Sequence, residues 1–180
     1  IMRMKYKNLN RRGTYMIRNA ELRDAKEIAE IYNYYIKETV ITFETEEIGT
    51  EEMEKRIKKT QEAGYPFIIY EEDDKVTGYA YVGLWRERNA YKDTLETSIY
   101  IDKDRKTRGI GRKLYKKLIE LCAEIKVHVL IGVLSYPNLA SQRLHESLGF
   151  EKVGCFKEVG KKFGKFVDVE FWSLTLKEGK

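Results

Sequence analysis

The chain has 180 residues, of which 42% are hydrophobic, 12% aromatic and 35% charged. This profile is typical of one globular domain, and it excludes a membrane role because no apolar run approaches the roughly 18 residues that a span needs. The net charge of +5 points to a polyanionic partner, yet five basic residues and no acid lie in residues 1–15. Removing these five from 34 leaves 29 basic against 29 acidic residues, so nucleic acid is not an expected partner.

The same distribution predicts the domain organisation. We expect residues 1–15 to be a basic, flexible N-terminal extension and residues 16–180 to form a single domain. Cys122 and Cys155 lack the dense spacing of a disulfide scaffold, which favours a cytoplasmic location. The Cys, His and acidic residues do not have the spacing of zinc ligands, so no metal site is expected.

The first half of the chain predicts a strand, two helices and a hairpin. Residues 16–18 read as a short strand, and Asp24 can cap a helix that ends near residue 38. Thr50 is expected to cap a second helix, which ends near residue 63. Residues 67–71 and 75–84 are β-rich and flank an acidic turn, as in an antiparallel hairpin.

A loop at residues 85–91 and a strand with Glu96 follow. The loop is too polar for a strand and rich in aromatic residues, so it is a candidate substrate loop; an exposed connection anchored by Trp85 is as consistent with its composition. Glu96 lies near the start of an apolar strand. It is either a solvated strand end or a general base whose pKa would rise on partial burial, and the residues alone leave both alternatives open.

Residues 95–114 predict a strand, a glycine loop and a helix. The first N–H groups of such a helix lack intrahelical partners and face the positive end of the dipole, which favours a bound phosphate. Gly109 and Gly111 permit a close approach of the ligand, and no acid lies in residues 106–112. The loop lacks the third glycine of the dinucleotide fingerprint and the Gly-Lys-Ser/Thr end of a nucleoside-triphosphate loop.

The remaining chain predicts a mixed sheet. Leu114, Leu118 and Cys122 recur at helical spacing and predict a helix from about residue 114 to about residue 125. It precedes a buried strand at 127–134, a helix at 139–147 stopped by Gly149, and strands at 150–156 and 166–176 joined by a turn at 160–165. The order β, α, α, three strands, α, β, α, β, β indicates an α/β (α+β) fold. His145 lies in the 139–147 helix, where a lone His is more often packed than catalytic.

These motifs together resemble the GNAT superfamily of acetyl-CoA-dependent N-acetyltransferases, and most closely the phosphinothricin acetyltransferase family. The resemblance covers about residues 16–176. It is carried by the loop at 106–111, the segment 138–150, Thr42-Phe43, Trp85-x-x-Arg88-Asn89-Ala90-Tyr91, Glu96-x-Ser98-x-Tyr100 and Asp168-Val169-x-Phe171-Trp172. It implies a single GNAT domain with a mixed, mostly antiparallel twisted sheet, helices on both faces, and a homodimer.

The resemblance also implies roles for individual residues. Glu96 would take a proton from the acceptor ammonium, and His145 would protonate the departing thiolate of coenzyme A. Arg88 would pair with an acidic group of the acceptor, and Phe43 and Tyr91 would complete the acceptor site. The implied cofactor-binding residues are Ile99, Tyr100, Ile101, Thr107, Arg108, Gly109, Ile110, Gly111, Arg112, Asn138 and Ser141.

The implied reaction is acetyl transfer from acetyl-CoA to the primary amine of a small amino-acid-like acceptor, of the phosphinothricin or methionine sulfoximine or sulfone type. Direct attack in a ternary complex is expected because no Cys or Ser nucleophile lies beside a base. Glu44 and Lys161 depart from the phosphinothricin-resistance pattern, so the acceptor's identity stays open. The alternatives are acetylation of protein N-termini or polyamines, and a non-catalytic regulatory module that binds coenzyme A or nucleic acid.

Overall fold

The computed structural model describes residues 5–10, 13–105 and 109–176. The strands in this part of the chain are β1 Lys5–Asn10, β2 Gly13–Asn19, β3 Phe67–Glu72, β4 Lys75–Leu84, β5 Thr94–Ile101, β6 Val129–Tyr136, β7 Glu151–Lys162 and β8 Lys165–Thr175. The helices are α1 Ala25–Glu38, α2 Thr50–Glu62, α3 Ile110–Glu124 and α4 Leu139–Ser147. Single turns of 3-10 helix occur at Leu22–Asp24, Asn89–Tyr91 and Lys103–Arg105.

The strands pair in the order β1-β2-β3-β4-β5-β6-β8-β7. The pairs β1–β2, β2–β3, β3–β4, β6–β8 and β7–β8 are antiparallel, whereas β5 and β6 are parallel. The predicted fold class, a mixed and mostly antiparallel sheet combined with helices, is therefore confirmed. None of the helices in the described ranges is long and apolar enough to cross a membrane.

The described chain forms two compact units that are not continuous in sequence. The first contains the described residues up to Asn33, together with Ile48–Val82 and Ser98–Cys122. The second contains Tyr34–Glu47, Gly83–Thr97 and the described residues from Ala123 onward. The expected division into residues 1–15 and 16–180 stays a prediction.

In the first unit, hydrophobic periodicity and turn chemistry account for the main elements. Leu114, Leu118 and Cys122 recur every four residues on α3, and all three are fully buried, as expected for an amphipathic helix. Asp73 and Asp74 join β3 to β4, and both have positive φ (52° and 59°). Two residues of this kind make a turn that matches the twist of a hairpin.

In the second unit, β6 and β8 form the interior of the pairing and β7 lies at its end. The β5–β6 register runs from Thr94 opposite Val129 to Thr97 opposite Gly132. Helix α4 ends at Ser147 with Leu148 as its C-cap residue, and Gly149 follows with a φ of 87°, which is a common way for a helix to stop.

Several boundaries differ from the predicted ones. Residues 5–10 form β1 and pair with β2, although no element was expected before Met16. Thr50 is the first residue of α2 and Gly49 occupies the cap position. Helix α3 begins at Ile110, directly after the glycine. The predicted turn at 160–165 is wrong, because β7 continues to Lys162 and only Phe163 and Gly164 make the turn, with φ of 50° and 74°.

Candidate active site

Glu96 lies on β5 in the second unit, on a half-open face of the strand pairs. Side chains of directly paired residues point to the same side of a sheet, so Glu96 shares its face with Ile131 of β6 and Ser173 of β8. Val133 and Phe171 follow two positions further along this face. All five residues are half-buried, so this face is partly accessible to solvent.

Two opposing effects act on the Glu96 carboxyl. Burial raises its pKa from the ordinary value, and the positive charge of Arg86 lowers it. The guanidinium of Arg86 lies 4.9 Å from the centre of the Trp85 ring, and Trp85 packs edge-on against Phe171 at 5.8 Å. A partly desolvated carboxylate is a stronger base than one in water, so Glu96 is suited to accept a proton.

His145 lies on the opposite face of the same strands. Its ring packs against Gly132, where any Cβ would overlap Nε2, and Gly132 pairs with Thr97 and Trp172 rather than with Glu96. Only 3% of His145 is exposed. The side chains of Glu96 and His145, which the sequence predicted as base and acid, therefore project from opposite faces of the strands.

Burial favours a neutral His145 ring, and its hydrogen bond places the hydrogen on Nδ1. Its Nδ1 lies 2.8 Å from the carbonyl oxygen of Ser141, which can only accept, so Nδ1 carries the hydrogen. Burial lowers the pKa of His145 to about 4. The expected role as general acid is not supported by this arrangement, because a neutral imidazole with a bonded Nδ1–H has no acidic proton to offer at neutral pH.

Asn138 and Ser141 form the N-terminus of α4. The Oδ1 atom of Asn138 accepts from the Ser141 N–H at 3.2 Å, and the Asn138 carbonyl accepts from the Gln142 N–H at 3.0 Å. This side-chain cap is the preferred chemistry for an Asn at a helix start. Within the described residues the other end of the amide, Nδ2, donates to nothing, so it can bind a ligand while Oδ1 holds the helix.

In the first unit, the predicted pantetheine-binding residues follow one another on β5. The Tyr100 ring packs against Tyr32 at 4.9 Å and Tyr79 at 5.3 Å. Gly78 lies so close to Ile101 that an added Cβ would be 2.7 Å from its Cδ1 atom. The side chains of Tyr100 and Ile101 thus serve packing, which leaves the backbone of Ile99–Ile101 as the part able to bind a cofactor.

The glycine loop leads directly into α3. Gly109 has a φ of 72°, a conformation that favours glycine, and Ile110 anchors the helix start with only 1% of its surface exposed. The first intrahelical bond joins the Lys113 N–H to the Gly109 carbonyl at 3.3 Å. The preceding N–H groups of Ile110, Gly111 and Arg112 therefore point out of the helix end, as an anion site requires. Thr107 and Arg108 lie outside the described residues.

The predicted acceptor residues, all in the second unit, are more exposed than Glu96. Phe43 is 38% exposed and Tyr91 is 43% exposed, and Arg88 is also exposed. The Tyr91 N–H donates to the Arg88 carbonyl at 2.9 Å, which forms the single turn in the loop. Arg86 is the loop arginine whose charge acts on the Glu96 carboxyl.

Comparison with known proteins identifies the family. A family model described as an acetyltransferase (GNAT) domain matches residues 17–171. The chain belongs to the GNAT acetyltransferase family.

Characterised GNAT relatives resemble it over nearly their full lengths. The L-amino acid N-acyltransferase MnaT of Escherichia coli is 36% identical over 162 residues, which cover 90% of this chain and 94% of that protein. The phosphinothricin N-acetyltransferase of Streptomyces coelicolor is 36% identical over 157 residues, or 85% of this chain and 91% of that protein.

Solved GNAT structures have the same fold. The yncA protein of Salmonella typhimurium, solved with its cofactor acetyl-CoA, superposes with a TM-score of 0.89 at 35% identity, covering 92% of this chain and 95% of that one. A phosphinothricin acetyltransferase from Sinorhizobium meliloti, in complex with acetyl-CoA, gives a TM-score of 0.88 at 32% identity, with 92% and 90% covered.

Two features of this GNAT chain were missed from the sequence. Arg86 was not singled out, although its position beside Trp85 in a charged loop was a usable signal. Lys162 is buried at the end of β7, and nothing in its Lys-rich neighbourhood distinguishes it. Among the described residues, no group of His, Cys, Asp and Glu is arranged to hold a metal ion.

Proposed function

We propose that this protein transfers the acetyl group of acetyl-CoA to the primary amine of a small amino-acid-like acceptor, with Glu96 as the general base. The observation that carries the proposal is the position of Glu96, half-buried with a raised pKa on the half-open face of β5, β6 and β8. The printed names of the relatives, which include L-methionine sulfoximine/L-methionine sulfone acetyltransferases and phosphinothricin N-acetyltransferases, support this acceptor class.

Proton removal is the step that the protein must assist. An amine is protonated at neutral pH and cannot attack a carbonyl until it loses a proton. Glu96 would accept this proton, directly or through a water molecule. The half-buried surroundings raise its pKa and so make the carboxylate a stronger base, while the positive charge of Arg86 opposes this rise.

Acetyl-CoA supplies the activated carbonyl that the amine attacks. The backbone of Ile99–Ile101 would pair with the pantetheine arm, as a strand adds to a sheet edge, and the N–H groups at residues 109–112 would hold the pyrophosphate. Thr107 and Arg108 would extend that phosphate site, and the Nδ2 atom of Asn138 would donate to the pantetheine arm. Two solved relatives with acetyl-CoA support this cofactor.

The acceptor would be held by the loop and by Phe43. The Arg88 side chain is exposed and would pair with an acidic group of the acceptor. Tyr91 and Phe43 would contact the rest of the molecule. Coenzyme A would leave as a thiolate and take its proton from solvent, because His145 is buried against Gly132 on the opposite face of the strands.

A free-thiol assay tests the proposed function. The purified protein is mixed with acetyl-CoA and, separately, phosphinothricin, methionine sulfone, a polyamine and a peptide. Glu96→Gln should lower kcat/KM for the preferred small acceptor by about a hundredfold or more, while Glu151→Gln, at an exposed site on β7, should not. Activity confined to the peptide or polyamine, or a Glu96→Gln enzyme within a few-fold of the original, would refute the proposal.

A homodimer in the cytoplasm is the proposed setting. Strand β7 ends the strand order, and the β7–β8 hairpin exposes Val153, Phe156 and Phe166 by 60% or more. Exposed apolar residues on a terminal strand favour association. Both cysteines are free thiols, which suits a reducing compartment. Sedimentation of a monomer at all concentrations would contradict the dimer.

A further inference from the structure

Lys162, at the end of β7, is a buried lysine that the proposed chemistry does not use. Only 3% of it is exposed, although lysine is almost never fully buried without partners. Its Nζ atom donates to the carbonyl oxygen of Thr42 at 2.7 Å and to that of Tyr35 at 3.4 Å. Burial lowers the pKa of Lys162, and the negative charge of Glu44 opposes this effect.

The two carbonyls belong to the end of α1 and to the irregular segment after it. Tyr35 lies in the last turn of α1, at the end of the helix that carries the negative end of the dipole. Thr39 closes this helix end by donating from Oγ1 to the Tyr35 carbonyl at 2.8 Å. Lys162 therefore joins the helix end to Thr42 through a single cation.

The residue after Thr42 is Phe43, and its ring lies against the same strand. A Cβ at Gly160 would overlap the Phe43 ring, so only glycine allows the ring to lie there. Gly160 and Lys162 are two positions apart on β7 and so share a face. Strand β7 thus binds the Thr42 carbonyl through Lys162 and contacts the Phe43 ring at Gly160.

The Phe43 ring is fixed on one side and open on the other. Gly160 covers part of the ring, yet Phe43 remains 38% exposed. An aromatic ring with one face seated on a strand and one face open is suited to contact a small ligand. Its position depends on the segment that Lys162 anchors, because residues 39–49 contain neither helix nor strand.

We propose that Lys162 is a positioning residue for the acceptor. It anchors residues 39–43, which end in Phe43, and so sets the affinity for the acceptor without touching it. This inference rests on the proposed function in one respect, namely that Phe43 contacts the acceptor. The anchoring itself depends only on the two carbonyl bonds and the seat at Gly160.

Lys162→Met is the direct test, because methionine keeps the length and apolar stem but donates no hydrogen bond. Lys165→Met is the matched control, since Lys165 is paired with Lys162 across the hairpin and is exposed. Amide hydrogen exchange in residues 40–44 should accelerate about tenfold or more in Lys162→Met. Exchange in α2 should be unchanged, and Lys165→Met should match the original protein throughout.

Steady-state kinetics provide the second arm. Lys162→Met should raise the acceptor KM about tenfold or more, with kcat and the acetyl-CoA KM within about twofold. Gly160→Ala leaves Lys162 in place but displaces the Phe43 ring, so it should raise the acceptor KM in the same way. A residue that only stabilised the fold would lower thermal stability without this selective change.

The outcomes separate the two proposals. Unchanged exchange at residues 40–44 in Lys162→Met would overturn the anchoring. Faster exchange with an unchanged acceptor KM would overturn the role in acceptor affinity. If the unmodified protein acetylates no amine, the proposed function fails and the acceptor role fails with it, while the exchange data still decide whether Lys162 anchors the segment.

Discussion

His145→Asn tests whether burial keeps this imidazole neutral in the folded protein. The ordinary pKa of a histidine is 6.5, whereas that of His145 is lowered to about 4. Between about pH 4 and pH 6.5, His145 is therefore protonated in the unfolded chain but not in the folded chain. Stability is complete above pH 6.5 and falls as the pH decreases towards 4.

The size of the effect follows from the two pKa values. Each pH unit between them costs about 1.4 kcal/mol of unfolding free energy, so a change from pH 7.5 to pH 5 should cost about 2 kcal/mol. Asparagine does not titrate, and its amide can take the place of Nδ1–H in the bond to the Ser141 carbonyl. The variant should lack this part of the pH dependence.

Urea unfolding followed by tryptophan fluorescence measures the effect. Trp172 lies 6.2 Å from the His145 ring and reports on this region. The loss of stability from pH 7.5 to pH 5 should be about 2 kcal/mol greater in the original protein than in His145→Asn. Equal losses would show that the folded protein binds the proton near pH 6.5, and the argument from burial would be refuted.

Two further predictions concern Arg86 and Glu170. Arg86→Met removes the positive charge that lowers the pKa of Glu96, so the acid limb of the kcat/KM profile should move to higher pH; a limb that stays in place or moves lower would contradict the assignment of Glu96. Glu170 is 1% exposed and accepts from Lys152 at 2.5 Å, Gln142 at 2.8 Å and Trp172 at 3.2 Å. Glu170→Leu leaves these donors without their acceptor and should lower the unfolding free energy by about 3 kcal/mol in urea; a loss below about 1 kcal/mol would show that the network contributes little.

Much of the fold was predictable because its signals are local. The four-residue spacing of Leu114, Leu118 and Cys122 predicted α3, and acidic turn residues between two β-rich runs predicted the β3–β4 hairpin. The predicted last turn began too early, at Gly160. A glycine is needed at this position because the Phe43 ring packs against it, and the chain does not turn there. Phe43 and Gly160 are more than a hundred residues apart in the chain, so a local sequence pattern could not reveal this contact.

The candidate site was only partly predictable. Glu96 was identified from the motif around it, but whether it was solvated or half-buried depended on its pairing with Ile131. The same register put the side chain of His145 on the opposite face, beside Gly132. A register shift by one residue would reverse these faces, so the relation between Glu96 and His145 is a property of the strand pairing.

The sequence by itself determined the order of elements, the glycine at the start of α3 and the resemblance to the GNAT family. Periodicity, capping and motifs each depend on residues that are close together in the chain. Only the tertiary structure decided that His145 is buried and its pKa lowered, that the charge of Arg86 acts on Glu96, and that Lys162 donates a hydrogen bond to the Thr42 carbonyl. Protonation state and hydrogen-bond partners depend on burial and on the joining of distant segments. Lys162 and Thr42 are 120 residues apart, and folding alone brings them within a hydrogen bond.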